Sequence, residues 1–180
     1  PSPQGADSKE SSRIDEEFRK KMEAEQASFE KLEKDLKESL EKNPNLKNLK
    51  DQVQFARDKD GLRIEIIDKA DFAMFGLGTT SMTPRAQALI QEVGKLLAAM
   101  PNKVALRGHT DSLAFANTNN RNNWTLSAER AEETRKNLER QGIQTNRFAR
   151  IEGVADTVPY NPNDPKDPRN RRISITVMNQ

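Results

Sequence analysis

Lys103-Val-Ala-Leu-Arg-Gly108 is a short apolar run closed by a glycine; His109-Thr-Asp111, an Asn-rich stretch and then Ser127-Ala-Glu-Arg130-Ala follow it. The run is too short for a helix and ends where glycine lets the backbone turn, so it reads as a strand that stops at a loop. Helical spacing begins after the Asn-rich residues and lasts until Gly142, a residue type that commonly closes helices. The pattern therefore predicts a strand, a loop over 111–123, and a helix from near Ser127 to Gly142.

Upstream, Thr83-Pro84 pairs an N-capping hydroxyl with a proline at the first helical position. The helix it opens runs to Met100-Pro101 and places Ala86, Leu89, Ile90, Val93, Leu96 and Leu97 on one face. Residues 70–82 have no helical period, which predicts a loop with at most a short strand at Met74-Phe75. Before them, 51–57 and 62–68 alternate with period two around Asp60-Gly61, a favoured hairpin turn. Val53, Phe55, Leu62, Ile64 and Ile66 are its expected core face. Downstream come a strand at 148–154, a loop of Pro, Asn and Asp at 155–169, and a last strand from Arg172 to Met178. From residue 51 the order is hairpin, α, β, α, β, β. That order predicts an α/β (α+β) two-layer sandwich, a mixed sheet with helices on one face.

The first fifty residues are of another kind. Residues 1–11 are small and polar and are expected to form a flexible lead-in. From Ser12, Ile14, Phe18, Met22, Phe29, Leu32, Leu36 and Leu40 recur among interleaved Lys and Glu, and Asn43-Pro44 is a stop. This is one long amphipathic helix in a charged linker segment, 12–50, ahead of a domain at 51–180. Its narrow apolar stripe suits a coiled coil, a strut on a neighbour, or packing on the chain's own domain.

At 180 residues there is room for one domain and this appendage. The net charge of +2 gives no overall field for nucleic acid or an anionic membrane, so neither is an expected partner. The absence of cysteine excludes disulfides, thiol catalysis and Cys-ligated zinc. No apolar run approaches the roughly 18–20 residues that span a bilayer. The opening Pro-Ser-Pro, without Met or a signal-like segment, is that of a fragment or processed form.

Thr110-Asp111 sits where a strand ends, a common place for ligands in open α/β sheets. Its amides could meet an anion and its carboxylate an ammonium, although Asp after a strand is also an ordinary turn former. With Ser127 as N-cap, Arg130 would stand in the helix's first turn, where the dipole favours anions; a partner is expected, either a ligand or Glu129 or Glu133. Asn170-Arg171-Arg172 opens the last strand with charges that could be solvated or could make a second anion contact. His109 is the only histidine. With no Gly-x-Ser-x-Gly elbow and too few metal ligands, hydrolytic or metal catalysis is not expected, nor is any cofactor.

Taken in order, Phe75-Gly-Leu-Gly-Thr79, Gly-His-Thr-Asp111, Asn123-x-x-Leu126-Ser-x-x-Arg130-Ala, Gly142-Ile and Asn170-Arg-Arg172 resemble the OmpA-like peptidoglycan-binding domain over about residues 61–178. The Asn-Trp-x-Leu-Ser wording, the longer loop before Asn123 and the preceding charged helix are most similar to the periplasmic part of flagellar stator subunits of the MotB type. The resemblance implies non-catalytic binding of the diaminopimelate residue of the stem peptide. Asp111 would pair with its ammonium, while Arg130 and amides near Thr110 would take its carboxylate. Phe75, Thr79, Asn123, Leu126, Asn170 and Arg171 would line the site. It further implies a homodimer, a MotA-type membrane subunit beside the full-length protein, and a periplasmic location in a bacterial inner-membrane protein. The alternative is a Pal- or OmpA-type adaptor linking the outer membrane to peptidoglycan. The Asn-rich insert is expected to cover part of the site.

Overall fold

The computed structural model describes residues 4–113 and 122–180. Along the chain come α1 (Gln4–Lys42), β1 (Val53–Asp58), β2 (Gly61–Ile67), α2 (Pro84–Ala98), β3 (Val104–His109), α3 (Asn123–Glu139), β4 (Phe148–Gly153) and β5 (Arg172–Met178). The sheet has the order β1-β2-β5-β3-β4, antiparallel except for the β3–β4 pair. This is the expected sandwich. In the hairpin, Asp58 pairs with Gly61, whose φ of +147° suits only glycine.

Period-two alternation divides the sheet. Leu62, Ile64, Ile66, Val104, Leu106, Ile173, Ile175 and Val177 are buried with Leu89, Ile90, Val93 and Leu97 of α2 and with Ala131 and Leu138 of α3. The other face carries Arg63, Glu65, Arg107, Glu152 and Ser174, opposed across strands so that unlike charges meet; Arg107 reaches Glu152 at 3.0 Å. α2 starts as its sequence dictates, with the Thr83 hydroxyl accepting from the Ala86 N–H and Pro84 at the first position.

Two helix starts differ from expectation. α1 begins at Gln4, not near Ser12, so most of the supposed flexible lead-in is helical; residues 1–3 lie outside the described residues. No apolar residue marks positions 7–13, so periodicity was silent there, yet nothing from Asp7 to Arg13 breaks a helix. α3 begins at Asn123 rather than Ser127. Asn122 caps it by accepting from the Thr125 N–H, while Thr125 Oγ1 accepts from the Asn122 N–H, a reciprocal capping box. Ser127 instead bonds back to the Trp124 carbonyl and accepts from the Ala155 N–H. Arg130 therefore lies beyond the first turn, and an unfavourable dipole is not why it needs a partner.

Only the second half of α1 packs on the chain's own domain. Phe29, Leu32, Leu36 and Leu40 are buried on the domain with Leu46 and Leu49, whereas Ile14, Phe18 and Met22 are 56%, 64% and 57% exposed. Glu25 stands at the boundary, accepting from the Gln180 N–H at 2.7 Å and from Asn102 at 3.4 Å.

What positions the ends of β3 and β4 is the close approach of α3. A Cβ on Gly108 would fall 2.1 Å from the Ser127 carbonyl oxygen, and one on Gly153 would fall 2.3 Å from the Ala128 nitrogen. Both obstacles are helix backbone, which cannot swing aside. Gly108→Ala should therefore lower unfolding free energy by about 1–3 kcal/mol in urea titrations, the range for overpacking. An unchanged midpoint would mean that α3 does not press on β3.

Candidate functional site

The site is built where three strands run out. Beyond β3 the Thr110 N–H bonds to the Ala155 carbonyl at 2.9 Å, and the Gly108 carbonyl accepts from Val154 at 3.1 Å. These contacts zip the β3 exit to the chain leaving β4. Ala155 is held at φ +53°, a left-handed conformation that disfavours a residue with a Cβ, by Thr110 on one side and the Ser127 hydroxyl on the other. The Ser112 N–H reaches the Pro165 carbonyl at 3.0 Å, which ties the β4–β5 loop to the same turn.

Four charged groups converge on this turn. Asp111, 6% exposed, takes the Leu113 N–H on one oxygen at 3.0 Å and Arg171 NH1 on the other at 2.7 Å. Arg171 also directs Nε at Asp68 Oδ2, 3.1 Å away, so one guanidinium bridges two carboxylates. Asp68 follows β2, is 5% exposed, and accepts the Met74 N–H at 3.1 Å. Arg130, 6% exposed, lies over the Phe75 ring at 5.2 Å; its Nε donates to the Thr79 carbonyl at 2.9 Å and its NH2 to the Gly76 carbonyl at 3.2 Å. Asp68, Arg130, Arg171 and Phe75 share one small cavity of about 10 Å³, no more than a water's worth of space.

Burial sets the electrostatics. It raises the Asp68 carboxyl to about 6, against the opposing pull of the Met74 amide and the Arg171 guanidinium. It lowers Arg130, aided by the charge of Arg171, while Asp68 and Asp111 hold the guanidinium protonated. Burial also works to lower Arg171, but its bonds to Asp111 and Asp68 win and raise it. Asp111, remote from Arg130 in sequence, thus acts on its charge through space.

The nine residues expected to line the site are not all brought there. Phe75, Asp111, Arg130 and Arg171 meet as described, and Leu126 is buried one turn before Arg130. Asn123 braces the turn by donating to the carbonyls of Leu113 at 3.2 Å and Asp111 at 3.4 Å. Thr79 contributes its carbonyl, not its hydroxyl, which bonds to Gly76 within the loop. The Thr110 hydroxyl is buried with no hydrogen-bond partner among the described residues. The amides of Thr110, Ser112 and Leu113 are already bonded, so the expected free N–H groups for an anion are not found at these three positions. The Asn170 side chain accepts from the Asn161 N–H and donates to the Asp164 and Pro165 carbonyls, which organises the β4–β5 loop. Of the Asn-rich insert, residues 114–121 lie outside the described residues.

Sequence reasoning missed Asp68. The signal was present as an acid directly after the apolar Ile66-Ile67 pair, but its partner stands 103 residues away. His109, expected in the loop network, closes β3 on the charged sheet face, with Nε2 3.1 Å from Ser174 Oγ. Ser174 in turn donates to Glu65, so the histidine nitrogen facing it must be the protonated one. Burial pushes His109 down to about 3 and keeps it neutral. Asp111 is bound to Arg171 and does not orient this imidazole. A cleft of about 170 Å³ lies on that sheet face, but its Arg107, Arg150 and Glu152 are half-exposed and already paired at 3.0 and 2.6 Å. Half-exposed pairs of that kind contribute little and mark a solvated surface.

Residues 74–172 match the family described as the OmpA family. The chain is 34% identical over 166 residues to Motility protein B of Escherichia coli K12, covering 92% of this chain and 53% of that protein, so it spans about half the length of this relative. A solved structure described as a putative MotB-like protein from Desulfovibrio vulgaris matches with a TM-score of 0.72 at 19% identity, covering 90% of this chain and 98% of that one. The structure described as the cell wall anchor of the T6SS from Pseudomonas aeruginosa matches with a TM-score of 0.60 at 28% identity, covering 72% of this chain and 90% of that one. The match over 74–172, more than half of the chain, shows that this chain belongs to the OmpA family.

Proposed function

We propose that this domain binds peptidoglycan without acting on it chemically, and that it anchors a flagellar motor stator to the cell wall. The observation that carries this reading is the cluster Asp68, Asp111, Arg130 and Arg171 at the strand ends. Two acids and two guanidiniums in one buried place are suited to a ligand end with both an ammonium and a carboxylate, such as the free end of diaminopimelate. The planar fork of arginine can meet that carboxylate with two parallel bonds. The stator assignment, over an outer-membrane adaptor of the Pal or OmpA sort, rests on the likeness to Motility protein B along 92% of the chain. It carries with it a periplasmic location and association of the full-length protein with a MotA-type membrane subunit.

The exposed stripe of α1 suggests how such an anchor is doubled. Residues 4–24 project past the domain for about 30 Å at the helical rise, with Ile14, Phe18 and Met22 turned to solvent. A second copy is the partner proposed for this stripe. Two linked binding sites on a repetitive polymer raise its hold far above that of one site.

Two outcomes follow. In co-sedimentation with isolated diaminopimelate-type sacculi, Asp111→Ala and Arg130→Ala should each weaken pelleting by about tenfold or more, the loss of one charge-assisted contact, with circular dichroism unchanged. Unchanged pelleting of both variants would remove the site. In sedimentation velocity the chain should run as a dimer and Phe18→Glu as a monomer; a wild-type monomer at all accessible concentrations would remove the role given to α1.

A further inference from the structure

Within the cluster, Arg171 is shared between two carboxylates that are not equivalent. Its NH1 meets Asp111 Oδ2 at 2.7 Å and its Nε meets Asp68 Oδ2 at 3.1 Å. Asp111 sits on the turn after β3, its other oxygen on the Leu113 N–H and its backbone carbonyl braced by Asn123; Asp68 follows β2, its other oxygen on the Met74 N–H, and lines the small cavity with Arg130 and Phe75. A ligand ammonium approaching Asp111 therefore meets an acid already neutralised by a cation. Binding requires Arg171 to loosen its grip on Asp111, and a guanidinium at 23% side-chain exposure cannot be left without a counter-charge at no cost.

We propose that Asp68 is a positioning residue for ligand binding: it takes over Arg171 when a ligand ammonium claims Asp111, and it does so only as the carboxylate. The proposal rests on the peptidoglycan reading above and adds to it an exchange of partners inside the site. The geometry suits such an exchange, because Arg171 can pivot between acids it already touches, with no travel of the backbone. The Asp68 N–H is bonded to the Arg171 carbonyl at 3.0 Å, which fixes the two residues side by side throughout.

The exchange makes binding depend on pH. Facing Asp68 are Arg171 at the entry to β5 and Arg130 from α3, with His109 and Arg172 lining the same cavity; Asp111, on the turn after β3, shares Arg171 with it. The arginines stay charged and His109 stays neutral down to about 3. Asp68 changes charge near 6. An amino-acid end carries both its charges across this range. Once Asp68 is protonated, Arg171 has only Asp111 to pair with and competes with the ligand for it. Stability moves in the opposite direction. A carboxyl raised in the folded state stabilises the fold fully below its unfolded value, and that contribution is lost as pH rises through about 6. Removing the charge of Asp68 at neutral pH should therefore not weaken the fold, whereas a purely structural acid would be missed.

Asp68→Asn keeps the acceptor for Met74 and removes the charge. Wild type, Asp68→Asn and Asp111→Ala are compared by co-sedimentation with isolated diaminopimelate-type sacculi at about pH 5 and about pH 7, with melting curves at both. Wild type should bind up to about tenfold more weakly at the lower pH, following the ionised fraction of Asp68. Asp68→Asn should bind at the weak level at both, with a Tm at neutral pH no lower than wild type. Any effect of pH on the sacculi themselves is common to all three proteins. Wild-type affinity and pH profile in Asp68→Asn, while Asp111→Ala is impaired, would overturn the exchange and leave the site. Weak binding by Asp68→Asn with a lowered Tm would also overturn it, in favour of a structural role. Full binding by Asp111→Ala would overturn the site reading itself, and the exchange with it.

Discussion

Taking an ion out of water into a protein costs several kcal/mol unless a partner of opposite sign and further hydrogen bonds meet it. Asp68, Asp111, Arg130 and Arg171 are all held largely away from solvent, with Arg171 paired to both acids and Arg130 bonded to the Thr79 and Gly76 carbonyls. They come from the end of β2, the exit of β3, the body of α3 and the entry to β5. No local stretch of chain can satisfy any one of them, so the cluster exists only when the whole sheet is assembled with α3 against it. The glycines at 108 and 153 make that contact possible by letting helix backbone rest on strand backbone. An apolar set of similar volume would often be as stable or more so, and a cluster that gives up such stability is better suited to recognition than to support.

The charged face of the sheet is an instructive contrast. There too, unlike charges pair across strands, as in Arg107 with Glu152 and Arg63 with Asp58. Those side chains are 31–41% exposed, and their pairs are screened by water and salt. Arg171 and Asp111 are 23% and 8% exposed, and their interaction is correspondingly harder to replace. Both places gather unlike charges; burial separates the two.

How much of this could be read from the chain depended on the range of the interaction. The hairpin, with its register set by alternation around Asp60-Gly61, was legible, as were the Thr83-Pro84 start of α2 and the bounds of β5, because each is specified within a few residues. The start of α3 was not. Ser127 and Asn122 are both plausible caps by type, and only the Thr125 partner and the pull of Ala155 on Ser127 decide between them. Asp111 and Arg130 were visible through the motif resemblance. Asp68 was invisible, because its meaning lies in the β2–β5 pairing that puts it beside Arg171. The loop bonds of Asn170 were hidden for the same reason: the loop it holds folds back on it from nine residues away. The stripe on α1 gave the helix but not the point where packing ends, since apolar spacing is alike in the buried and the exposed half.

The account therefore joins a rigid sandwich, an ionic cluster at its strand ends, and a projecting helix into a proposed wall anchor with its recognition chemistry in the cluster. Its central claim is that a zwitterionic amino-acid end enters between Asp111 and Arg130 and disturbs the guanidinium that now occupies that acid. The most direct measurement is NMR of the arginine Nε–H groups while free meso-diaminopimelate is added. The account predicts that the Arg130 and Arg171 signals shift together and saturably, while those of Arg63 and Arg107 on the charged sheet face stay put. Shifts confined to Arg63 and Arg107, or none at Arg130 and Arg171 at saturating ligand, would contradict it.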